Sequence, residues 1–167
     1  FYTALIRVTA KNITFLSLTK ITIIVICKNM EKSSAKNDNT LMVVDDNHKS
    51  QKLLEVFLKK AGHNVFTANN SNDAINKFNF IKPKIVISNT TLPDGCGFEL
   101  VKKLRNNNQN QYTAFFMIAA NSLNDVHKQA IELNIDDFAV KPLYLREMIS
   151  RVDLLVRRQR NIQLEQK

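Results

Sequence analysis

The sequence predicts an α/β protein whose parallel sheet is covered by helices on both faces. Three observations carry this. Short apolar runs at Leu41–Val44, Ile85–Ile87 and Ala114–Ile118 lie between turn residues, as strands buried on both faces require. Stretches with apolar residues at helical spacing follow each run. Strand and helix patterns alternate over residues 41–158, which favours parallel pairing through crossover helices.

Leu41 to Val44 forms a compact first strand that runs straight into Asp45 and Asp46. Leu53, Leu54, Phe57, Leu58 and Ala61 mark one face of the first helix, and Gly62 ends it because glycine tolerates a left-handed cap. Val65, Phe66 and Ala68 give a second, weaker strand, expected at an edge. Ser71 is expected to cap a helix carrying Ala74, Ile75 and Phe78. Lys82-Pro83 leads into the central strand, which is expected to end near Asn89. The chain then turns through Thr90 to Gly97. Phe98, Leu100, Val101 and Leu104 mark a third helix, closed by the polar run Asn106 to Gln111. A strand at Ala114–Ile118 and a helix with Leu123, Val126, Ala130 and Leu133 come next. Phe138–Val140 is a short fifth strand closed by Lys141-Pro142. Leu145, Met148, Ile149, Val152 and Val156 mark the last helix. Continuation of that helix into a coiled coil and a core-facing helix with a frayed end fit the spacing equally.

The 167 residues suit one domain with tails: an N-terminal extension over 1–40, a domain over 41–158 and a helical tail over 159–167. The extension is read as disordered or foreign to the native protein. Its apolar piece from Ile21 to Cys27 is too short to span a bilayer, and no small-residue cleavage site follows it. The net charge is +9, but Arg7, Lys11, Lys20 and Lys28 sit in the extension and a further basic excess lies after residue 150. The central body is therefore near neutral and does not call for a nucleic-acid surface. Cys27 and Cys96 make no disulfide framework, which fits a reducing cytoplasm. His48, His63 and His127 have no metal-ligand spacing.

Right-handed crossovers leave few topologies for such a chain. The expected one is the flavodoxin-like, doubly wound five-stranded sheet in the order 2-1-3-4-5, with its functional crevice at the carboxyl ends of strands 1 and 3. Asp45, Asp46 and Asn89 fall there, with Lys141 at the end of strand 5. Adjacent carboxylates at a strand end suit a hard cation such as Mg²⁺. Lys141 is read as the counter-ion of that acidic pair.

VVDDN (43–47), NTTLPDGCGFEL (89–100) and DDFAVKPL (136–143) together resemble the receiver domain of two-component response regulators. The resemblance implies that Asp45 and Asp46 match the family's metal-binding acids and that the backbone carbonyl of Thr91 completes the metal site. It matches Lys141 to the family's lysine, and Pro142 to a proline often preceded by a cis bond. The departures are specific. The phosphoacceptor aspartate falls on Asn89, whose amide cannot form an acyl phosphate. The switch Ser/Thr falls on Ala119, which has no hydroxyl, and the switch aromatic on Phe138. These departures lead to the expectation of a degenerate pseudo-receiver that binds Mg²⁺ weakly if at all and carries no catalytic residue. It would act in the cytoplasm, independently of phosphorylation. Its partner would be a histidine kinase, a downstream signalling protein or a second copy, met on the face of the fourth helix, fifth strand and fifth helix. Nucleic acid and membrane are not expected partners. Two rivals remain: residual phosphotransfer to Thr90 or Thr91, and the receiver part of a longer DNA-binding regulator.

Overall fold

A computed structural model of the chain describes residues 39–106, 112–120 and 123–165. The expectations for residues 1–38, Cys27 among them, lie outside that range.

The elements follow the anticipated alternation. Strand β1 (Thr40–Val44) leads to helix α1 (His48–Lys60), β2 (Asn64–Ala68) to α2 (Ser71–Ile81), and β3 (Ile85–Asn89) to α3 (Gly97–Arg105). Strand β6 (Ala114–Ala119) leads to α4 (Leu123–Glu132), and β7 (Asp137–Val140) to α5 (Leu145–Leu164). Between β3 and α3 lies a small antiparallel hairpin, β4 (Thr91–Leu92) and β5 (Gly95–Cys96). The sequence gives that stretch only as a turn, because two-residue strands leave no apolar pattern. The main sheet is parallel, in the order β2-β1-β3-β6-β7. In strand rank this is the expected 2-1-3-4-5.

Strand alternation sorts the core into two layers. Met42, Val44, Val86, Phe115 and Met117 pack with Ala74 and Phe78 of α2 and with Phe98, Leu100, Val101 and Leu104 of α3. Leu41, Val43, Ile85, Ile87, Phe116 and Ile118 pack with Leu54 and Leu58 of α1 and with Met148, Val152, Leu155 and Val156 of α5. Each fully buried large side chain contributes roughly 1.5–3 kcal/mol by leaving water. The buried stripe of α5 supports its core-facing reading. The helix runs unbroken through residues 158 and 159, so the expected tail begins inside it.

Helix ends are set locally. Asn47 caps α1, its side chain accepting from the backbone of Lys49 and Ser50. Gly62 follows α1 with φ +93°, as expected. The cap of α2 is Asn70 rather than Ser71: the Asn70 side chain accepts from the Asp73 N–H, and Ser71 is the first helical residue. Both residue types cap well, and a shift of one position is invisible to propensity.

Candidate functional site at the carboxyl edge of the sheet

The register brings the expected residues to one edge. Val44 pairs with Ser88, Asn89 with Ile118, and Ala119 with Val140. Asp45, Asp46, Asn89 and Lys141 therefore leave the sheet on neighbouring strands. A groove of about 310 Å³ lies over them, lined among others by Asp46, Asn89, Thr90, Thr91 and Lys141.

Asp45 is buried and both oxygens of its carboxylate are held by the protein. Its Oδ1 accepts from Asn89 Nδ2 at 2.7 Å and from the Asn47 N–H at 2.9 Å. Its Oδ2 accepts from the Ser50 hydroxyl at 2.6 Å. Asp46 is exposed and lines the groove. Asn89 is 7% exposed, and its Oδ1 is buried without a hydrogen-bond partner among the described residues. The amide orientation follows from the contact itself: the reverse assignment would set two oxygens 2.7 Å apart.

Lys141 corrects an expectation. It is half-buried and borders the groove, but its ammonium forms no ion pair with the acidic pair. Its place is fixed by its backbone, whose N–H donates to the Ala119 carbonyl at 2.9 Å. The Lys141–Pro142 bond is cis, as the resemblance implied. Three uncharged donors, not the lysine, hold the Asp45 carboxylate, and Asp46 stands exposed at the groove.

Ala119 is buried on the layer that holds Phe115 and Met117, against the half-buried Phe138 and Val140. Its neighbours Ile118 and Ala120, rather than Ala119 itself, line the groove. The Phe138 ring meets His127 edge to face, with centroids 4.7 Å apart at 79°. Phe138 also lies on the outer edge strand. Its N–H donates to Asp137 Oδ1 and its carbonyl accepts from Arg151 Nη1, which in turn donates to Asp137 Oδ1. This clasp occupies both backbone groups of Phe138.

Three side chains that the sequence did not single out support the site. Ser50 holds Asp45 directly. Gln51 is buried, and its Nε2 lies 2.8 Å from the Asp45 carbonyl, 2.9 Å from that of Ala68 and 3.0 Å from Asn69 Oδ1. Asp94 accepts from the backbone N–H groups of Ser71 and Asn72, so the loop after β3 is tied to the first turn of α2. Partial desolvation alone would raise the Asp94 pKa, but those backbone donors outweigh it and hold the carboxyl below its usual range. The only available signal was the position of these polar residues next to the acidic pair and the Pro-Asp-Gly turn. Cys96 is half-buried at the start of α3.

A tightly held Mg²⁺ does not fit these residues. The atom of residue 89 that faces Asp45 is an N–H donor, and Asp45 has already spent both oxygens on protein donors. The described residues contain no group of three or more His, Cys, Asp or Glu side chains arranged to hold a metal.

Residues 41–153 match the response regulator receiver domain. The chain belongs to that family. It is 31% identical over 118 residues to the alkaline phosphatase synthesis transcriptional regulatory protein PhoP of Bacillus subtilis, covering 71% of this chain and 48% of that one. It is 28% identical over 119 residues to the phosphate regulon transcriptional regulatory protein PhoB of Pseudomonas aeruginosa, covering 71% and 52%. The chain thus spans about half the length of these relatives. Among solved structures, a two-component response regulator from Clostridium difficile superposes with a TM-score of 0.67 at 25% identity, covering 72% of this chain and 97% of that one. The chemotaxis protein CheY4 of Vibrio cholerae gives 0.66 at 22%, covering 70% and 97%, and shows the shared fold. This receiver domain is a unit of two-component signalling. No helix of its described residues is long and apolar enough to cross a membrane.

Proposed function

We propose that this receiver works without phosphorylation of residue 89 and signals by protein–protein contact. One observation carries the reading: Asn89 meets Asp45 through its amide nitrogen, as a hydrogen-bond donor. Acyl phosphate formation needs an attacking carboxylate oxygen, and an amide, its nitrogen lone pair delocalised into the carbonyl, supplies none. Ala119 brings no hydroxyl to a phosphoryl group. In this pseudo-receiver Asn89, Ala119 and Phe138 hold the phosphoacceptor and switch positions, and Lys141 keeps the lysine position. Asp45, Asp46 and the Thr91 carbonyl are what remains of a metal site.

The partner face is that of α4, β7 and α5. A groove of about 410 Å³ beside β7 and α5, lined by Phe138, Leu143, Tyr144 and Met148 among others, supports this choice. Tyr144 is 73% exposed there, an aromatic body with a polar tip of the kind that anchors interfaces. The partner is a histidine kinase, a downstream signalling protein or a second copy of this chain, in the cytoplasm.

A second reading is favoured by the relatives. Both are named transcriptional regulatory proteins and are about twice the length matched. Under it this chain is the receiver part of a longer DNA-binding regulator, and contact with nucleic acid belongs to another domain.

The test is intact mass and peptide mapping after treatment with a small phosphodonor and Mg²⁺, beside Asn89→Asp. The expected wild-type result is no phosphate. A hydroxylamine-sensitive phosphate on the wild-type peptide containing Asn89 would overturn the reading. Phosphate on Thr90 or Thr91 would establish residual transfer instead.

A further inference from the structure

We propose that Asn89 and Ser50 take the place of the divalent cation at Asp45, so that this buried carboxylate is satisfied without metal. This rests on the reading of residue 89 given above. It is a narrower property, because a protein without a phosphoacceptor could still bind Mg²⁺, so the two can fail separately.

A buried carboxylate needs a positive charge or several donors. Asp45 is 2% exposed and has no ammonium or guanidinium partner among the described residues. It has instead three donors, from the Asn47 backbone, Ser50 and Asn89. An ionised carboxylate offers about four acceptor positions, so little capacity is left. The two shortest bonds come from side chains on different elements, Ser50 on α1 and Asn89 on β3. The first ties α1, and the second ties β3, to the carboxylate at the end of β1.

A cation drawn to this edge meets the wrong atom. The Asn89 amide points its hydrogens at Asp45. Turning its oxygen there instead breaks the 2.7 Å bond and sets oxygen against oxygen unless the cation outcompetes both. Asp46 then remains as one exposed carboxylate. A single carboxylate beside neutral carbonyl oxygens, including the Asn89 Oδ1 that has no partner among the described residues, is a poor site for an ion that gives up its water reluctantly.

The test uses Mn²⁺ as a paramagnetic probe in two-dimensional ¹⁵N NMR of the full chain, with Mg²⁺ as the diamagnetic control. In the wild type at millimolar Mn²⁺, the amides of residues 45–51 and 89–91 should broaden no more than exposed residues elsewhere. In Asn89→Asp those amides should broaden selectively, with affinity at least about tenfold above wild type. Ser50→Ala in the Asn89→Asp background should tighten binding further by freeing Asp45 Oδ2. Asn89→Ser removes the amide donor without adding charge and should also gain broadening, which covers the case in which the aspartate variant does not fold. Selective, saturable broadening in the wild type overturns the proposal. So does its absence from every variant at residue 89, because something other than the amide then excludes the cation. If Ser50→Ala leaves the affinity of Asn89→Asp unchanged, Ser50 has no share and the paired assignment fails.

Discussion

Gly97 packs its α-carbon against the backbone carbonyl of Asn89. A Cβ at Gly97 would lie 2.0 Å from that oxygen, a distance no side chain can occupy. The Gly97 N–H also donates to the Thr90 carbonyl at 2.8 Å, so the start of α3 is seated on the end of β3. Gly97→Ala must push the two apart. The expected loss is at least about 1–3 kcal/mol, in the range of overpacked cores. Urea denaturation measures it, and amide shifts confined to residues 88–91 and 95–99 would locate it. Unchanged stability would mean that α3 moves freely against β3.

Asp94 gives the loop after β3 a pH dependence. Its carboxyl is held below the ordinary range by the Ser71 and Asn72 N–H groups, against the opposing effect of desolvation. A depressed folded-state pKa contributes stability above the unfolded pKa, and that contribution disappears as pH falls through the folded value. Asp94→Ala removes two acceptors from the first turn of α2. It should cost at most about 1 kcal/mol near neutral pH, the size of a lost helix cap, because solvent screens the exposed carboxylate. The difference from wild type should shrink towards zero in acid. Denaturation midpoints at neutral and strongly acidic pH test the sign. A gap that widens in acid would contradict it.

Gln51 is the internal brace of the acidic loop. Removing its amide takes the side-chain donor from the Asp45 carbonyl, while the Ala68 carbonyl keeps the Asp45 N–H, at about 1–3 kcal/mol. Gln51→Leu keeps the bulk and isolates the polar loss. Its thermal midpoint should fall, with the largest loss of hydrogen-exchange protection at residues 44–46 and 68–69. Uniform loss of protection would instead assign Gln51 to general packing.

The clasp on β7 protects an edge. Asp137 and Arg151 occupy the N–H and carbonyl of Phe138, and edge strands with free backbone groups invite pairing with other chains. Arg151→Ala should raise concentration-dependent self-association, seen by light scattering. Restoring the guanidinium is the control. Association equal to that of wild type would show that the edge needs no guard.

The fold was readable because its signals are periodic. Apolar runs such as Ile85–Ile87 and Ala114–Ile118 alternate with helical stripes, and parallel order then follows from connection rules. The edge position of Asn89 and Lys141 came with it. What escaped was pair geometry. Lys141 looked like the counter-ion of two acids, but Ser50 and Asn89 hold Asp45 and Asp46 faces the groove, and no spacing rule expresses that arrangement. Asp94 reaches a helix 22 and 23 residues away in sequence. Asn70 and Ser71 are neighbours of equal capping propensity, so their order was settled by backbone geometry alone.

The hydrogen bond from Thr90 N–H to the Ile118 carbonyl, 2.9 Å long, bears on how this protein ages. An asparagine becomes aspartate when the next backbone nitrogen attacks its side-chain carbonyl and closes a five-membered imide. Here that nitrogen is tied to β6, residue 89 sits in a strand, and its amide NH₂ is held by Asp45. The ring cannot form without opening the edge of the sheet. Stored folded protein should accordingly keep residue 89 as asparagine while exposed asparagines convert, a difference peptide mapping resolves. The side chain that would become a carboxylate by exchanging its nitrogen for oxygen is thereby shielded from making that change by itself.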